Sequence, residues 1–326
     1  MCIIMRYNVR NKKDGTPSLK RRTTQMKKIG SLVLAFAMVL VAMLAFAGCG
    51  DPGKGVKVID IPLTEEEYAF AVRKGDTELL NQLNTFMAEI EADGTFDEIV
   101  NKYFGDGEAQ PVESASEMKT DGSQLIVATN AAFEPFEYMV GENYYGLDLE
   151  IMALFAESID KELYINNMEF DAVCLSVSAA GGSYEDENGN EVSVAGGVCD
   201  VAAAGLTVSD SRKEILDFST SYYSASQMLI VAEDDTTFDA CQTKEDVEAI
   251  LRTLGADVVV GVQTSTTGQK YCEGDADWGF DGFGFTTRGY TNGAVAVQNI
   301  LNKNIQYVVI DEGPAKSIVK RVNAAN

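Results

Sequence analysis

Not one of the 326 residues is histidine. That removes the commonest general base, the Ser-His and Cys-His nucleophile pairs and the commonest transition-metal ligand, so catalysis, metals and cofactors are not expected. Cysteine is scarce and unpatterned: there are six and no CxxC spacing, which leaves zinc ribbons and thioredoxin-like motifs without a signal. Bases are few once the N-terminus is passed. Residues 1–49 hold nine Lys and Arg against one acid, and the remainder has 17 bases against 49 acids, a net charge of −32. A body of that sign repels phosphate backbones, and nucleic acid is excluded as a partner.

What is present begins with one long apolar run. From Met26 the chain reads MKKIGSLVLAFAMVLVAMLAFAGCG, two lysines and a hydrophobic stretch ending in small residues, which is an export signal rather than fold. Its ending Ala45-Phe46-Ala47-Gly48-Cys49 resembles a bacterial lipoprotein cleavage box, with Phe46 where leucine is usual. That resemblance makes Cys49 the lipidated first residue of the mature chain and places the body at the outer face of the cytoplasmic membrane. A plain transmembrane anchor is the alternative. Residues 1–25 are basic and unpatterned, which leaves Met1 and Met26 both open as the start.

The length suits two domains, and the 46% hydrophobic content suits buried cores. Strand patterns at 56–61, 68–72, 124–129, 162–165, 198–204, 227–232, 258–262 and 306–310 alternate with helical ones, which predicts doubly wound α/β sheets with ligands at the strand carboxyl ends. Residues 106–123, acidic with Pro, Ser and Gly, read as a flexible linker. Residues 181–197, around Asn188-Gly189, read as a β-hairpin insertion entering far from the ligand end of the strand it precedes. Cys174 with Cys199, and Cys241 with Cys272, are disulfide candidates in an exported protein, with free buried thiols as the alternative.

The stretch GLTVSDSRKEILDFS, starting at Gly205, gathers donors after a buried strand. Glycine admits a ligand to the backbone, Thr207 and Ser209 offer hydroxyls, and Arg212 carries a planar fork suited to a carboxylate. The turn QTSTTG, Gln263 to Gly268, is a second anion site at a helix start, and Asp311 stands at the carboxyl end of a strand. One cation and one anion at such ends suit a zwitterion.

VATNAAFEPFEY, Gly146-Leu147-Asp148, AGLTVSDSRKEILDFS, VGVQTSTTG and VVIDEGPA, in that order, resemble the bacterial extracellular solute-binding proteins of the polar amino acid type. The resemblance implies two α/β lobes joined by a strand hinge, the type II periplasmic binding protein fold. It departs in order. YAFAVRKGD and DGTFDEIVNKYFG, which resemble the family's closing hinge strand and helices, stand here at the front, so the chain resembles a circular permutation of the family. The domains implied are 1–49 leader, 50–67 tether and lobe 2 strand, 68–232 lobe 1, and 233–326 the rest of lobe 2. The resemblance assigns the ligand carboxylate to Arg212, Thr207 and the amide of Thr267, and the ammonium to Asp311 and the carbonyl of Gly205. Phe133 and Phe170 wall the side-chain pocket, with Asn130 and Gln263 as its polar lining. Relatives that take cationic amino acids tend to carry aspartate where Asn130 stands, so a neutral amino acid is implied. The function implied is that of a monomeric receptor, not an enzyme, delivering a free amino acid to the permease of an ABC importer. A prephenate or arogenate dehydratase relative and an extracellular sensor module are the alternatives.

Overall fold

The structure, a computed structural model, describes residues 55–186 and 188–325. The leader, Cys49 and most of the tether lie outside the described residues. Among the described residues no helix is long and apolar enough to cross a membrane.

Two five-stranded sheets carry the fold. In the first the order is Leu216–Phe218, Ala71–Arg73, Val201–Ala202, Gln124–Thr129, Glu162–Asn167, the last three mutually parallel. All six residues of Gln124–Thr129 are buried, as a central strand covered on both faces requires. Alternation divides them: Leu125 and Val127 join the core beneath helix Leu147–Ser158, while Ile126 and Ala128 join the core beneath helix Phe170–Val177. The second sheet runs Val56–Ile59, Gln227–Ala232, Tyr307–Asp311, Val259–Gln263, Thr286–Tyr290. Helix Gly293–Leu301 packs one face with Val308 and Ile310, and helices Lys244–Leu251 and Thr267–Glu273 pack the other with Val260 and Val262. The C-terminal helix Glu312–Ala325 has no counterpart in the sequence reading.

The lobes are joined by a two-stranded ribbon, Glu66–Tyr68 antiparallel to Tyr223–Ala225. The expected strand 68–72 is therefore two short ones, one in this ribbon and one in the first sheet. Ending lobe 1 at residue 232 is also incorrect. Gln227–Ala232 pairs with Val56–Ile59 and Tyr307–Asp311, so its ladder bonds lie in the second sheet and the crossing precedes it. Helices Thr77–Asp93 and Thr95–Phe104 pack on Leu147–Ser158 of the first lobe. Nor does 106–123 run free: Val112 is buried and bridges to Tyr144, Ala115 N–H donates to the Leu163 carbonyl at 2.8 Å, and Ser114 Oγ accepts from Ile165 N–H at 2.9 Å. Its composition is that of a linker, but its backbone satisfies the edge of a sheet. The hairpin forms as Gly182–Glu185 with Glu191–Val194. Cys174, Cys199, Cys241 and Cys272 are free thiols.

Candidate functional site

The carboxyl ends of both sheets face each other across the hinge. Asn130 follows Gln124–Thr129, Gly205 and Thr207 follow Val201–Ala202, and Arg212 lies on the short helix Asp210–Lys213, where Ser209 caps the helix by accepting from Arg212 N–H at 3.3 Å. From the other lobe, Gln263 and Asp311 end their strands and Thr267 opens a helix. Phe133, Phe170, Gly205, Thr207, Arg212, Gln263, Thr267 and Asp311 line one cavity, together with Thr266 of the Gln263–Gly268 turn. Asn130 stands behind it. The room left is about 10 Å³, what a single water needs, so the cleft is shut.

Contacts across the cleft hold it so. Arg212 donates through Nη1 to the Thr207 carbonyl at 2.8 Å and through Nη2 to the Ser265 carbonyl of the facing lobe at 3.2 Å. Thr267 Oγ1 lies 3.1 Å from Thr207 Oγ1, and Asp171 accepts from Thr264 Oγ1 at 2.9 Å and from Ser265 Oγ. Asn130 Nδ2 donates to the Met168 carbonyl at 2.8 Å, which turns its Oδ1 toward Gln263 Nε2 at 3.1 Å. Gln263 Oε1 is then left buried without a hydrogen-bond partner, in a residue 2% exposed on the cavity wall. Such an orphaned acceptor costs about 1–3 kcal/mol until a donor reaches it. Gly205 adopts φ +53°, and a Cβ there would sit 2.7 Å from Phe133 Cε1, so only glycine fits.

Asp311 is 4% exposed and hydrogen-bonded by Tyr68 Oη. Burial, and then the charge of Glu66, push its carboxyl up to about 7. Glu66 is buried in the hinge, accepting from Thr64 Oγ1 at 2.6 Å, Thr207 Oγ1 at 2.7 Å and Gln227 Nε2 at 2.9 Å. Behind Gly205 sits Asp148, whose Oδ2 accepts from Gly205 N–H at 2.9 Å and Oδ1 from Tyr222 Oη at 2.7 Å. Burial raises Asp148 to about 7, and it raises Glu137, which lies within hydrogen-bonding reach of Asp148, well above the carboxylate range. Glu66, Tyr68, Glu137 and Tyr222 went unread because nothing in local pattern separates a site-facing carboxylate or phenol from a surface one. The signal available was a glutamate on a strand otherwise apolar on its inner face.

The hairpin is not remote from the cleft. Tyr184, Glu185, Asp186 and Asn188 line a 240 Å³ cavity with Asp171 of their own lobe and with Thr264, Gly289, Tyr290 and Thr291 of the other. The hairpin enters at the far end of the strand it precedes but folds back toward the mouth.

Arginine-binding extracellular protein ArtP of Bacillus subtilis (strain 168) is 26% identical over 121 residues, 37% of this chain and 41% of that one. ABC transporter glutamine-binding protein GlnH of the same organism is 32% identical over 63 residues, 19% of this chain and 23% of that one, so the chain aligns with less than half the length of either. The arginine-bound form of truncated ArgBP from T. maritima superposes with a TM-score of 0.45 at 24% identity, covering 61% of this chain and 78% of that one. The family model for bacterial extracellular solute-binding proteins, family 3, matches residues 6–106 and 187–320. With more than half of the sequence matched and paired α/β lobes closing over a hinge, this chain belongs to the bacterial extracellular solute-binding proteins of family 3.

Proposed function

We propose that the protein captures a free amino acid outside the cytoplasmic membrane and delivers it to an ABC importer, held to the membrane by lipid at Cys49 and acting as a monomer. The observation that carries this reading is the pairing of Arg212 and Asp311 on opposite lobes of one buried cavity. A zwitterion placed between them neutralises both and draws the lobes together. Arg212, Thr207 and the amide of Thr267 take the carboxylate, Asp311 and the carbonyl of Gly205 take the ammonium, and Phe133 and Phe170 enclose the side chain. The ligand is neutral and polar. Asn130 brings no charge, and the free Gln263 Oε1 favours a side chain that brings a donor. ArtP and GlnH are named for a cationic and a neutral ligand respectively, so this choice rests on the site itself.

A thermal-shift screen of the twenty amino acids followed by competition tests the reading, since stabilisation grows with the logarithm of ligand excess over Kd. Glutamine or another neutral polar amino acid should stabilise most. Displacement of every neutral amino acid by arginine or lysine would remove the neutral assignment, and no shift with any of the twenty would remove the site.

One observation favours a second reading, an enzyme of the dehydratase kind on the same fold: a carboxyl at about 7 inside the cavity suits acid catalysis. Turnover of arogenate or prephenate by the purified protein decides it.

A further inference from the structure

The chain has one tryptophan, Trp278, and nothing in its sequence ties that residue to the ligand. It ends a single 3-10 turn, Ala276–Trp278, in the second lobe. The loop around it is pinned to that lobe. Asp275 and Phe280 exchange backbone hydrogen bonds at 2.9 and 3.0 Å, Asp275 pairs with Lys270 at 3.0 Å, and Phe280 meets the Tyr271 ring edge-on at 5.5 Å. Tight turns close the loop. A Cβ on Gly282, at φ +70°, would lie 2.5 Å from the Glu273 carbonyl oxygen, and one on Gly274, at φ +87°, 2.9 Å from that of Asp281. Trp278 is therefore carried on a stiff arm.

That arm crosses the cleft. The Arg212 Cζ lies 5.4 Å from the Trp278 ring and 5.6 Å from the Phe170 ring. The guanidinium is thus flanked by one aromatic from each lobe and tied by its hydrogen bonds to a carbonyl from each lobe. Flanking rings attract the cation and discourage it from tilting, which leaves the remaining N–H groups directed in its plane, where a carboxylate is received two-pronged. Phe170 and Thr207 belong to the same lobe as Arg212 and stay with it when the lobes part. Trp278 and Ser265 are present only on closure. A contact made in one of two states shifts the equilibrium towards that state by its own free energy.

Building on the amino acid site described above, we propose that Trp278 is a positioning residue of that site: it closes over Arg212 from the second lobe, fixes the carboxylate-binding fork and slows ligand release. The test compares the wild-type protein with Trp278→Ala and Trp278→Phe, using each of the twenty L-amino acids and measuring affinity, both rate constants, thermal unfolding and tryptophan emission. The expected result is binding about 2- to 30-fold weaker in Trp278→Ala, carried by a faster koff with kon unchanged, at an unfolding temperature equal to wild type. Trp278→Phe restores most of the affinity, and wild-type emission changes on saturation. Equal affinity in Trp278→Ala and wild type overturns the proposal. So does a loss that Trp278→Phe fails to restore, and so does a loss carried by kon. Wild-type binding of no amino acid at all overturns the site reading beneath it, an outcome distinct from these.

Discussion

Arg212 uses two of its five N–H groups on backbone carbonyls, which leaves three for a ligand carboxylate. Arg212→Ala removes them and strands Asp311 opposite a neutral wall. Truncating one member of a desolvated pair costs about 2–5 kcal/mol, so affinity should fall roughly thirty- to several-thousand-fold in calorimetry, without loss of the fold. Asp311 gives the pH dependence. Its carboxyl is raised to about 7, first by burial and then by Glu66, so in the shut cleft it is protonated below that pH. The stability that this proton lends the shut form is present at low pH and lost as pH rises through about 7. Binding runs the other way. An ammonium pairs with the carboxylate form, so the proton must leave, and affinity falls below about pH 7 with a limit near tenfold per unit. Titrations across about pH 5.5–8 should show that slope below about 7 and a plateau above it, and Asp311→Asn should bind weakly with no slope. A wild-type affinity independent of pH would detach Asp311 from the ammonium.

At the scale of elements, the hairpin Gly182–Glu185 with Glu191–Val194 pairs only with itself, while its base is held by Gly197 N–H to the Ser178 carbonyl at 2.8 Å. Joining Gly181 to Ala195 should leave the unfolding temperature unchanged. Among the described residues, the hydrogen bonds that shut that side of the cleft come from Asp171 and not from the hairpin, so affinity should drop less than about tenfold, and by faster release. A folded deletion variant with no binding would make the hairpin part of the site. This element also shows what a sequence can tell. Its turn and alternation were legible, because they are local. Its reach across the mouth was not, because that depends on how the chain leaves Val177 and on lobe closure. Likewise the meeting of Gly205, Arg212, Gln263, Thr267 and Asp311 on one cavity was legible, since each sits where an apolar strand gives way to donors at the carboxyl end of an α/β sheet. Glu66, Trp278 and the start of the second-sheet strand at Gln227 gain their meaning from partners up to 245 residues away, and periodicity carries no record of those. The 106–123 segment misled for a related reason. Its polar composition was read as freedom, while its backbone had a sheet edge to serve.

On the scale of the whole molecule, the front segment is built into both lobes: Val56–Ile59 edges the second sheet, Ala71–Arg73 sits inside the first, and Thr77–Asp93 and Thr95–Phe104 cover the first lobe. We read this as a circular permutation of the family order, formed within one molecule, and the ends of the segment make the reading testable. Asn323 of the last helix accepts from Val56 N–H at 3.0 Å and donates to the Val56 carbonyl at 2.9 Å, so a join from the end of that helix to Val56 has little distance to span. The new N-terminus belongs near Asp106 rather than after the connecting segment, because Val112 and Ser114 pack on the first lobe. Discarding them would leave Ile165 N–H without its acceptor, a loss of about 1 kcal/mol beyond the apolar contact. A chain running from 106 to 326 and then through 56 to 105 should fold as a monomer and bind the same amino acid within about threefold of the original. A dimer in which the front segment of one copy completes its neighbour uses the same contacts, and sedimentation of the original chain separates the two arrangements. If the reordered chain is insoluble or does not bind, the front segment is something other than the displaced end of the family fold.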